Sequence, residues 1–522
     1  MSKRHFPRGN EGSPGEKRPA QEPLATASWI LPQSVCAHLS FDENDPTNTS
    51  PFLLGHLPDA AGQNTLLAYN DDSHIVTIAG SRSGKGVSLV VPNLLSYRGS
   101  VICVDLKGEN AAITAKYRRD VLGQDMMILD PFHVTEFETA QFNPLAFLEP
   151  DSHTLIDDVG DISEALIVRT SGKDAHWDES AKSVIKMILL YIVLEHPKEE
   201  RHLVWLRDYL LTGIQSEESG SSSFNNFLLL LDDHTHSFIS GMAKRLLDMG
   251  DNERGSVMST VFRNTEFLDS PSIQETIKCS DIDLSSLRGL KGASIYLVMP
   301  EIRLAGQSRW LRLLITVFLQ YLQTDIKTDP HAPSVMLVLD EFAALGYMQV
   351  IERATGYIAG FGVKIWSILQ DLSQLKDIYP RRWETFLGNA GILTAFGNID
   401  LTTQDYLSKR IGQCEINRIE YNYSGNTSEN KNTTPFTQII ENPEILLGQG
   451  GSKGSSDGWT ANPKQMISPL LLADEIGREF GRHSENILIL IGGSQPIWAH
   501  RLFYYKDEPF KSRAGQNPYY QG

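Results

Sequence analysis

Cysteine is scarce in this chain of 522 residues, which contains four, at Cys36, Cys103, Cys279 and Cys414. They are widely separated and no two form a C-x-x-C pair, so neither a zinc-finger spacing nor a disulfide framework is indicated. Cys103 lies in an apolar run, which is typical of a small core residue. This usage predicts a protein of a reducing, cytosolic compartment.

Long apolar runs are missing as well. The longest ones, 187–194 (MILLYIVL) and 227–231, are shorter than the ~18–20 apolar residues that a membrane helix needs. The early charged residues are followed by no apolar core, so the N-terminus does not resemble a signal peptide. The sequence therefore predicts a protein that is soluble or that something else holds at a membrane.

The chain also lacks an excess of basic residues, because its formal net charge is −17. This charge argues against a protein coated in a nucleic-acid-binding surface, but it is compatible with a local basic channel inside an acidic exterior. Hydrophobic residues make up 41% of the chain and charged residues 21%, as in ordinary folded proteins. The length predicts two to four domains of ~100–200 residues each.

Short apolar runs alternate with helical patterns along much of the chain, which predicts a parallel sheet with its ligand at the carboxyl ends of the strands. Two further runs, 487–491 and 497–504, are separated by Gly-Gly-Ser-Gln-Pro and predict a terminal β-hairpin. The predicted strands of the alternating pattern are 75–78, 100–104, 126–129, 293–298, 334–339, 363–369 and 392–396.

Composition divides the chain into segments. The first residues are rich in Pro, Gly and charge and predict disorder, whereas a middle segment has helical periodicity and few strand signals. The predicted organisation is a disordered tail (1–27), a first part of a nucleotide-binding domain (28–150), an inserted all-α domain (151–290), a second part of the nucleotide-binding domain (291–513) with a mobile polar loop (422–462), and a tail (514–522).

A glycine loop with a lysine follows the first strand. Strand, glycine loop, lysine and helix form the layout of a phosphate cradle, in which backbone N–H groups point at the anion. The match to G-x-x-x-x-G-K-[ST] is imperfect, because position 79 is alanine and Gly86 stands where a Mg²⁺-binding hydroxyl is usual; a plain surface turn is the alternative. The expected phosphate-binding residues are Gly80, Ser81, Arg82, Ser83, Gly84, Lys85, Gly86 and Val87.

Two acids, Asp340 and Glu341, end the apolar run 334–339. In a sheet of this kind we expect their strand to lie beside the phosphate loop. The first acid would hold Mg²⁺ and the second would polarise the attacking water. A solvated strand end is the alternative interpretation, which becomes weaker when the lysine loop is taken into account.

Three other polar residues stand at predicted strand ends. Gln370, after the strand 363–369, could contact the γ-phosphate or its water, or could form part of a turn or helix cap. Asp105 and Glu109 could face the nucleotide or could cap the helix that starts near Glu109.

An arginine from a neighbouring subunit is expected in oligomeric enzymes of this chemistry. Arg381, Arg382 and Arg410 are the candidates, and each could equally be a solvated surface arginine.

Taken together, these motifs resemble one family, the type IV coupling proteins (TraG/TraD conjugation ATPases). The resemblance extends from about residue 55 to residue 513, is weak over 422–462, and is far more specific than any single motif. It is carried by RSGKGVSLVVPNLLSYRGSVICVDLKGEN, LDPF, FNPLAFL, HWDESAKSVIKMILLYIV, ASIYLVMPE, VLDEFAALG, GYIAGFGVKIWSILQDLSQLKDIYPRRWETFLGNAG, ISPLLLADEI and QPIWAHRLFYY.

The resemblance implies an α/β fold: a RecA-like P-loop NTPase domain with a mostly parallel sheet, an inserted all-α domain and a C-terminal β-hairpin. It implies that ATP and Mg²⁺ are bound, with Lys85 at the phosphates, Asp340 and Glu341 as the paired acids and Gln370 as the glutamine that follows them. It also implies that Gly86 is a variant of the family, which leaves Ser88 or water as the group that replaces the missing hydroxyl on Mg²⁺.

The same resemblance implies a homo-hexameric ring that hydrolyses ATP and moves single-stranded DNA, without regard to sequence, or relaxase and effector proteins to a type IV secretion channel. Most members carry N-terminal membrane helices, and this sequence shows none. We therefore expect a cytoplasmic protein, peripheral at the inner membrane, that reaches the membrane only through a partner.

Two other functions remain open at this stage. One is a cargo adaptor that uses ATP as an assembly switch, with the helical segment recruiting the cargo. The other is a cytosolic FtsK/HerA-like DNA translocase that is unrelated to secretion and shares only the RecA-like core.

Overall fold

A computed structural model gives the fold of the chain. The residues that it describes are 25–45, 48, 51–168, 175–215, 222–324, 332–428 and 454–519.

The described residues fall into two compact units. The first comprises 29–407 and 473–519, and the second comprises 25–28, 408–428 and 454–472. Every strand of the large sheet belongs to the first unit.

Fifteen strands are present in the described part of the chain. They are β1 (Pro51–Pro58), β2 (Asn64–Asn70), β3 (His74–Ala79), β4 (Val101–Asp105), β5 (Asp125–Leu129), β6 (Ile214–Gln215), β7 (Ser222–Ser223), β8 (Ala293–Val298), β9 (Val335–Asp340), β10 (Val363–Leu369), β11 (Ala390–Phe396), β12 (Gln413–Ser428), β13 (Gly454–Pro469), β14 (Asn486–Ile491) and β15 (Ile497–His500).

Eleven of these strands form one mixed sheet in the order β2-β1-β15-β14-β11-β3-β10-β9-β4-β8-β5. The seven from β11 to β5 are parallel to one another, whereas β14, β15, β1 and β2 extend the sheet by antiparallel pairing. The predicted mostly parallel α/β fold and the hairpin of β14 with β15 are confirmed, although β15 ends at His500 rather than at residue 504.

The parallel strands are buried on both faces, which explains their nearly continuous apolar sequences. Every residue of β3, β4, β8 and β10 is buried. The register places Leu369 beside Ile78 and Ile368 beside Asp340, so the ends of β3, β10 and β9 meet at one edge of the sheet. Strand β10 separates β9 from β3 in the sheet, yet the acids that end β9 lie beside the phosphate loop as expected, because Lys85 pairs with Asp340 and Glu341.

Helices cover the sheet and fill the segment between β5 and β8. They are α1 (Pro32–Leu39), α2 (Val91–Ser96), α3 (Glu109–Asp120), α4 (Leu155–Leu166), α5 (Ala175–Glu195), α6 (Val204–Thr212), α7 (Phe224–Asp232), α8 (Ser237–Asp248), α9 (Asp251–Thr265), α10 (Pro271–Ile277), α11 (Glu301–Thr324), α12 (Gln349–Tyr357), α13 (Leu372–Ile378), α14 (Trp383–Asn389), α15 (Leu401–Ile411), α16 (Ala473–Glu479) and α17 (Phe510–Arg513).

The segment 151–290 is helical as expected, with α4 to α10, but it also contains the short hairpin of β6 with β7. Its described residues stay in the first unit, and its status as a separate domain remains a prediction. Among the helices of the described residues, none combines the length and the apolarity required to cross a lipid bilayer.

Two expectations about the chain ends need correction. Residues 514–522 were expected to be a tail, but 514–519 pack on α3, where the Gly515 N–H donates to the Ile113 carbonyl at 2.7 Å. Asn517 Nδ2 donates to Glu109 Oε1 at 2.6 Å, which fixes this segment at the start of the helix. Of the predicted disordered residues 1–27, 1–24 lie outside the described residues, whereas Thr26 forms a β-bridge with Cys414 in the second unit.

The second unit is built on a two-stranded ribbon. Strands β12 and β13 pair antiparallel from Gln413↔Pro469 to Ser428↔Gly454. The expected loop 422–462 is therefore corrected to strand over 422–428 and 454–462, and 429–453 lie outside the described residues. Cross-strand hydrogen bonds satisfy backbone groups whatever the side chains are, so a polar composition does not exclude a strand.

Candidate functional site

The loop between β3 and α2 has the backbone of a phosphate cradle. A Cβ added to Gly80 would lie 2.1 Å from the carbonyl oxygen of Gly397, which follows β11. Only glycine therefore fits at position 80. Gly84 has φ +85° and Arg82 has φ +56°, both in the left-handed region. Gly80, one position after the place that the motif assigns to glycine, is thus required by the loop that follows β11.

The remaining residues of the loop differ in exposure. Ser81 and Arg82 are exposed, whereas Ser83 is buried. Gly86–Val90 forms a π-helical turn that leads into α2. Val87 is half-buried, and its carbonyl accepts the Tyr504 N–H at 3.1 Å.

Lys85 lies between the loop and the two acids. Its Nζ donates to Glu341 Oε2 at 2.9 Å and forms an ion pair with Asp340 Oδ1 at 3.4 Å. Burial lowers the pKa of Lys85, but the two carboxylates outweigh this effect and the pKa lies above the ordinary value of lysine. The structure therefore joins two motifs that are far apart in the sequence.

Gln370 completes this cluster. Its Nε2 donates to both carboxylate oxygens of Glu341, at 3.0 and 3.1 Å. Glu341 has φ +92° and ψ +57°, an unusual conformation for a residue other than glycine. Such strain is often retained where a side chain must be aimed at a functional site.

Asp340 has the features expected of a Mg²⁺ ligand. Its Oδ1 is buried and accepts no hydrogen bond among the described residues, where its charge is met by the Lys85 ammonium at 3.4 Å, whereas Oδ2 accepts Asn110 Nδ2 at 3.2 Å. Carboxylate oxygens are hard ligands of the kind that Mg²⁺ takes. A buried acceptor without a hydrogen bond is costly, so this atom fits a cation beside the phosphate loop once Lys85 turns to the phosphates.

Ser88, the other candidate ligand, is engaged elsewhere. Its hydroxyl is buried and donates to the Gly84 carbonyl at 2.8 Å, within the loop itself. This bond uses the hydroxyl proton and leaves the oxygen lone pairs, so Ser88 and water both remain predictions for the group that replaces the missing hydroxyl.

Asp105 caps a helix. Its carboxylate accepts the N–H of Ala111 at 2.9 Å and that of Lys107 at 3.3 Å at the start of α3. Burial is the main cause that raises the pKa of Asp105 to about 7, and the charge of Asp340 adds to it. Of the two roles considered for Asp105, capping is the one that its contacts support.

Glu109 begins α3, and its carboxylate accepts Asn517 Nδ2. Its observed partner is therefore the C-terminal segment rather than Lys85 or the acids.

The arginine candidates differ in their surroundings. Arg381 and Arg382 are exposed, and Arg382 pairs with Glu352 at 3.2 Å. Arg410 is exposed on α15 and belongs to the second unit. A role for any of them at a neighbouring subunit remains a prediction.

Sequence reasoning missed Asn110 and Arg501. Asn110 belongs to the GEN sequence that follows Asp105, and its amide holds Asp340. Arg501 follows β15, and its Nη1 donates to the Ser83 carbonyl at 2.6 Å across 418 residues of sequence. No local sequence pattern predicts either contact, because in each the two bonded residues lie far apart in the sequence.

The arrangement can bind a polyphosphate and hydrolyse it. A glycine loop at a helix start offers backbone N–H groups and a lysine to an anion. A buried carboxylate beside it can hold a cation, and a second carboxylate, oriented by an amide, can position water.

A family model described as "Type IV secretory system Conjugative DNA transfer" matches residues 28–443. Curated relatives include the conjugal transfer protein TraG of Escherichia coli, 24% identical over 98% of this chain and 80% of its own length. The type IV secretion system-coupling protein VirD4 of Bartonella quintana is 25% identical over 87% of this chain and 67% of its own length.

Solved structures share the fold. The bacterial conjugative coupling protein TrwBdeltaN70, in complex with sulphate, superposes with a TM-score of 0.63 and 13% identity over 93% of this chain and 95% of its own. The plasmid coupling protein TrwB in complex with ADP and Mg²⁺ gives a TM-score of 0.56 and 14% identity over 82% and 85%. These similarities establish the RecA-like architecture.

Proposed function

The chain belongs to the type IV secretory system conjugative DNA transfer family, and we propose that it is an ATP-hydrolysing coupling protein. In this role it recruits a relaxase bound to single-stranded DNA, or an effector protein, and drives it to a type IV secretion channel. The cluster of Lys85 with Asp340, Glu341 and Gln370 is the observation that carries the proposal.

Lys85 and the loop residues 80–87 bind the phosphates of ATP. In the structure the lysine pairs with both Asp340 and Glu341, and on ATP binding its ammonium turns to the β- and γ-phosphates. Glu341, released from the lysine and held by Gln370, then orients and deprotonates the attacking water. TrwB, whose fold this chain shares, has been solved with ADP and Mg²⁺.

Asp340 would hold Mg²⁺ through Oδ1, the oxygen that accepts no hydrogen bond and faces Lys85 in the structure. When bound, the ion neutralises negative charge on the phosphate oxygens. Asn110 fixes the other oxygen of the same carboxylate and so sets the orientation of the group.

Movement of DNA follows from a ring of identical subunits. We place ATP at the junction between neighbours in a homo-hexamer, where an arginine of the next subunit completes the site. Contacts with the DNA backbone are electrostatic and indifferent to sequence, which suits a protein that must move any strand. The ring works beside the membrane, next to the channel.

Single-stranded DNA should stimulate Mg²⁺-dependent ATP hydrolysis by the purified chain, because translocation couples DNA engagement to turnover. Steady-state phosphate release with and without a single-stranded oligonucleotide measures this. Lys85→Ala should abolish turnover in both conditions, whereas Lys506→Ala, which removes an exposed lysine paired with Glu485, should not. Equal turnover by wild type and Lys85→Ala would contradict the proposal.

A further inference from the structure

Arg501 is a buried arginine that does not belong to the cluster of Lys85 with Asp340, Glu341 and Gln370. Only 4% of it is exposed, and it lies in the connection after β15, on the antiparallel side of the sheet. Its guanidinium lies 4.9 Å from the ring centre of Phe396 and 5.3 Å from that of Phe503. A guanidinium between two aromatic rings is held firmly in place.

The guanidinium contacts the phosphate loop through the backbone. Nη1 donates to the Ser83 carbonyl at 2.6 Å, and Nη2 donates to the Ser484 carbonyl. On another side of Ser83, a Cβ added to Gly397 would lie 2.3 Å from the Ser83 Cβ. Ser83 is therefore confined between a charged donor and a backbone that tolerates only glycine.

This contact also determines the direction of the Gly84 N–H, because the peptide between Ser83 and Gly84 is planar. In a planar trans peptide the carbonyl and the following N–H point in opposite directions. Because Arg501 fixes the Ser83 carbonyl toward itself, the Gly84 N–H must point away from Arg501. Gly84 has φ +85°, so other orientations of this peptide are sterically available to it and need to be excluded by a contact.

We infer that Arg501 is a positioning residue of the phosphate loop, which holds the Ser83–Gly84 peptide with its N–H directed at the bound phosphates. This inference rests on the proposed function, because it assigns the loop to ATP. Arg501 touches no substrate; it acts through the peptide and adds a fixed positive charge beneath the loop.

The inference predicts a distinctive kinetic pattern. The Gly84 N–H contacts the phosphate in the ground state and the transition state alike, so losing its orientation should raise KM and leave kcat almost unchanged. Arg501→Met keeps the stem between the rings and removes every donor. We expect the Kd for Mg·ATP to rise roughly tenfold or more, with kcat at saturation within about threefold of wild type.

Two variants separate positioning from general packing. Arg501→Lys keeps the charge and an ammonium that can donate to the Ser83 carbonyl but loses the planar fork, so it should recover part of the Mg·ATP affinity lost in Arg501→Met. Arg513→Met is the matched control, since Arg513 also stacks on a ring, that of Tyr117 at 5.3 Å, and bonds a backbone carbonyl, that of Leu95, outside the loop. It should leave the Kd unchanged.

The experiment measures Kd for Mg·ATP by calorimetry, steady-state kinetics, and the melting temperature without nucleotide. A raised Kd in Arg501→Met with rescue by lysine supports the inference; wild-type Kd in Arg501→Met, or no rescue in a folded Arg501→Lys, overturns it. If Arg501→Met does not fold, Arg501→Gln carries the same expectation, because its amide is too short to reach Ser83. Failure of the wild type to bind Mg·ATP would instead overturn the proposed function itself.

Discussion

Lys85 and Gln370 both donate hydrogen bonds to the carboxylate of Glu341, whose backbone has a left-handed conformation. Glu341→Gln keeps the size of the side chain and removes its charge and basicity. We expect ATP hydrolysis to fall by about 10²–10⁴-fold, the usual contribution of a general base, while Mg·ATP binding persists. Single-turnover hydrolysis and calorimetry measure the two effects.

Glu352→Gln provides the control for this substitution, because Glu352 is an acid on α12 that pairs with exposed Arg382. It should hydrolyse ATP at the wild-type rate. Full activity in Glu341→Gln would remove Glu341 from the mechanism.

Asp105 gives the folded state a measurable pH dependence. Its pKa, raised by burial from 3.8 to about 7, means that the folded chain binds more protons than the unfolded chain between these pH values. The free energy of unfolding should therefore fall as the pH rises from about 4 to about 7. Asp105→Asn, which carries no charge, should remove this fall, so its stability relative to wild type should rise with pH over this range.

Urea unfolding at several pH values, in Mg²⁺-free buffer, tests the prediction for Asp105. The stability difference between the two proteins should be small near pH 4 and grow toward pH 8. A difference that stays constant with pH would show that Asp105 is charged throughout.

The convergence of some candidate site residues was predictable because they follow predicted strands. Lys85, Asp340 and Gln370 each follow an apolar run, and parallel strands bring such ends to one edge. Asn110 and Arg501 were not predictable in this way, because each acts through a contact with a distant segment. For Asp105 the sequence left two roles open, and its bonds to the N–H groups of Lys107 and Ala111 decide for capping.

Among the elements, the C-terminal segment 514–519 is held on α3 by specific hydrogen bonds. Asn517 is buried and bonds both Glu109 and the Tyr504 hydroxyl, and the Tyr519 hydroxyl donates to the Lys107 carbonyl. Truncation after Arg513 should destabilise the fold by about 1–3 kcal/mol, because these groups lose their partners. Chemical unfolding measures the change.

A control for the truncation is the removal of residues 520–522 alone, which keeps all of these contacts. It should unfold at the wild-type denaturant concentration. Equal stability of the chain truncated after Arg513 would show that the segment merely lies on the surface.

Sequence patterns predicted some elements and missed others for physical reasons. The parallel strands β8 and β10 were predicted to the residue, because burial on both faces makes them continuously apolar. β1 and β2 were missed, since their turn residues and mixed composition resemble a connecting segment. The polar ends of β12 and β13 were read as loop, because their pairing depends on a partner strand and not on composition.

The whole molecule combines an acidic net charge of −17 with a proposed function on DNA. Repulsion between like charges would weaken binding of DNA over the general surface. An acidic exterior is compatible with DNA binding if the DNA contacts are confined to the interior of the proposed ring. ATP hydrolysis would then supply the energy that moves the DNA. ATP hydrolysis and transfer should then depend on the same lysine.

Transfer by Lys85→Ala is the most direct test of this account. A strain that lacks the wild-type gene is complemented with wild type or with Lys85→Ala, expression is matched, and the transfer frequency of a mobilisable plasmid is measured. We predict that wild type restores transfer and that Lys85→Ala, which has lost hydrolysis, does not. Normal transfer by Lys85→Ala without hydrolysis would contradict the account and identify a cargo adaptor instead of a motor.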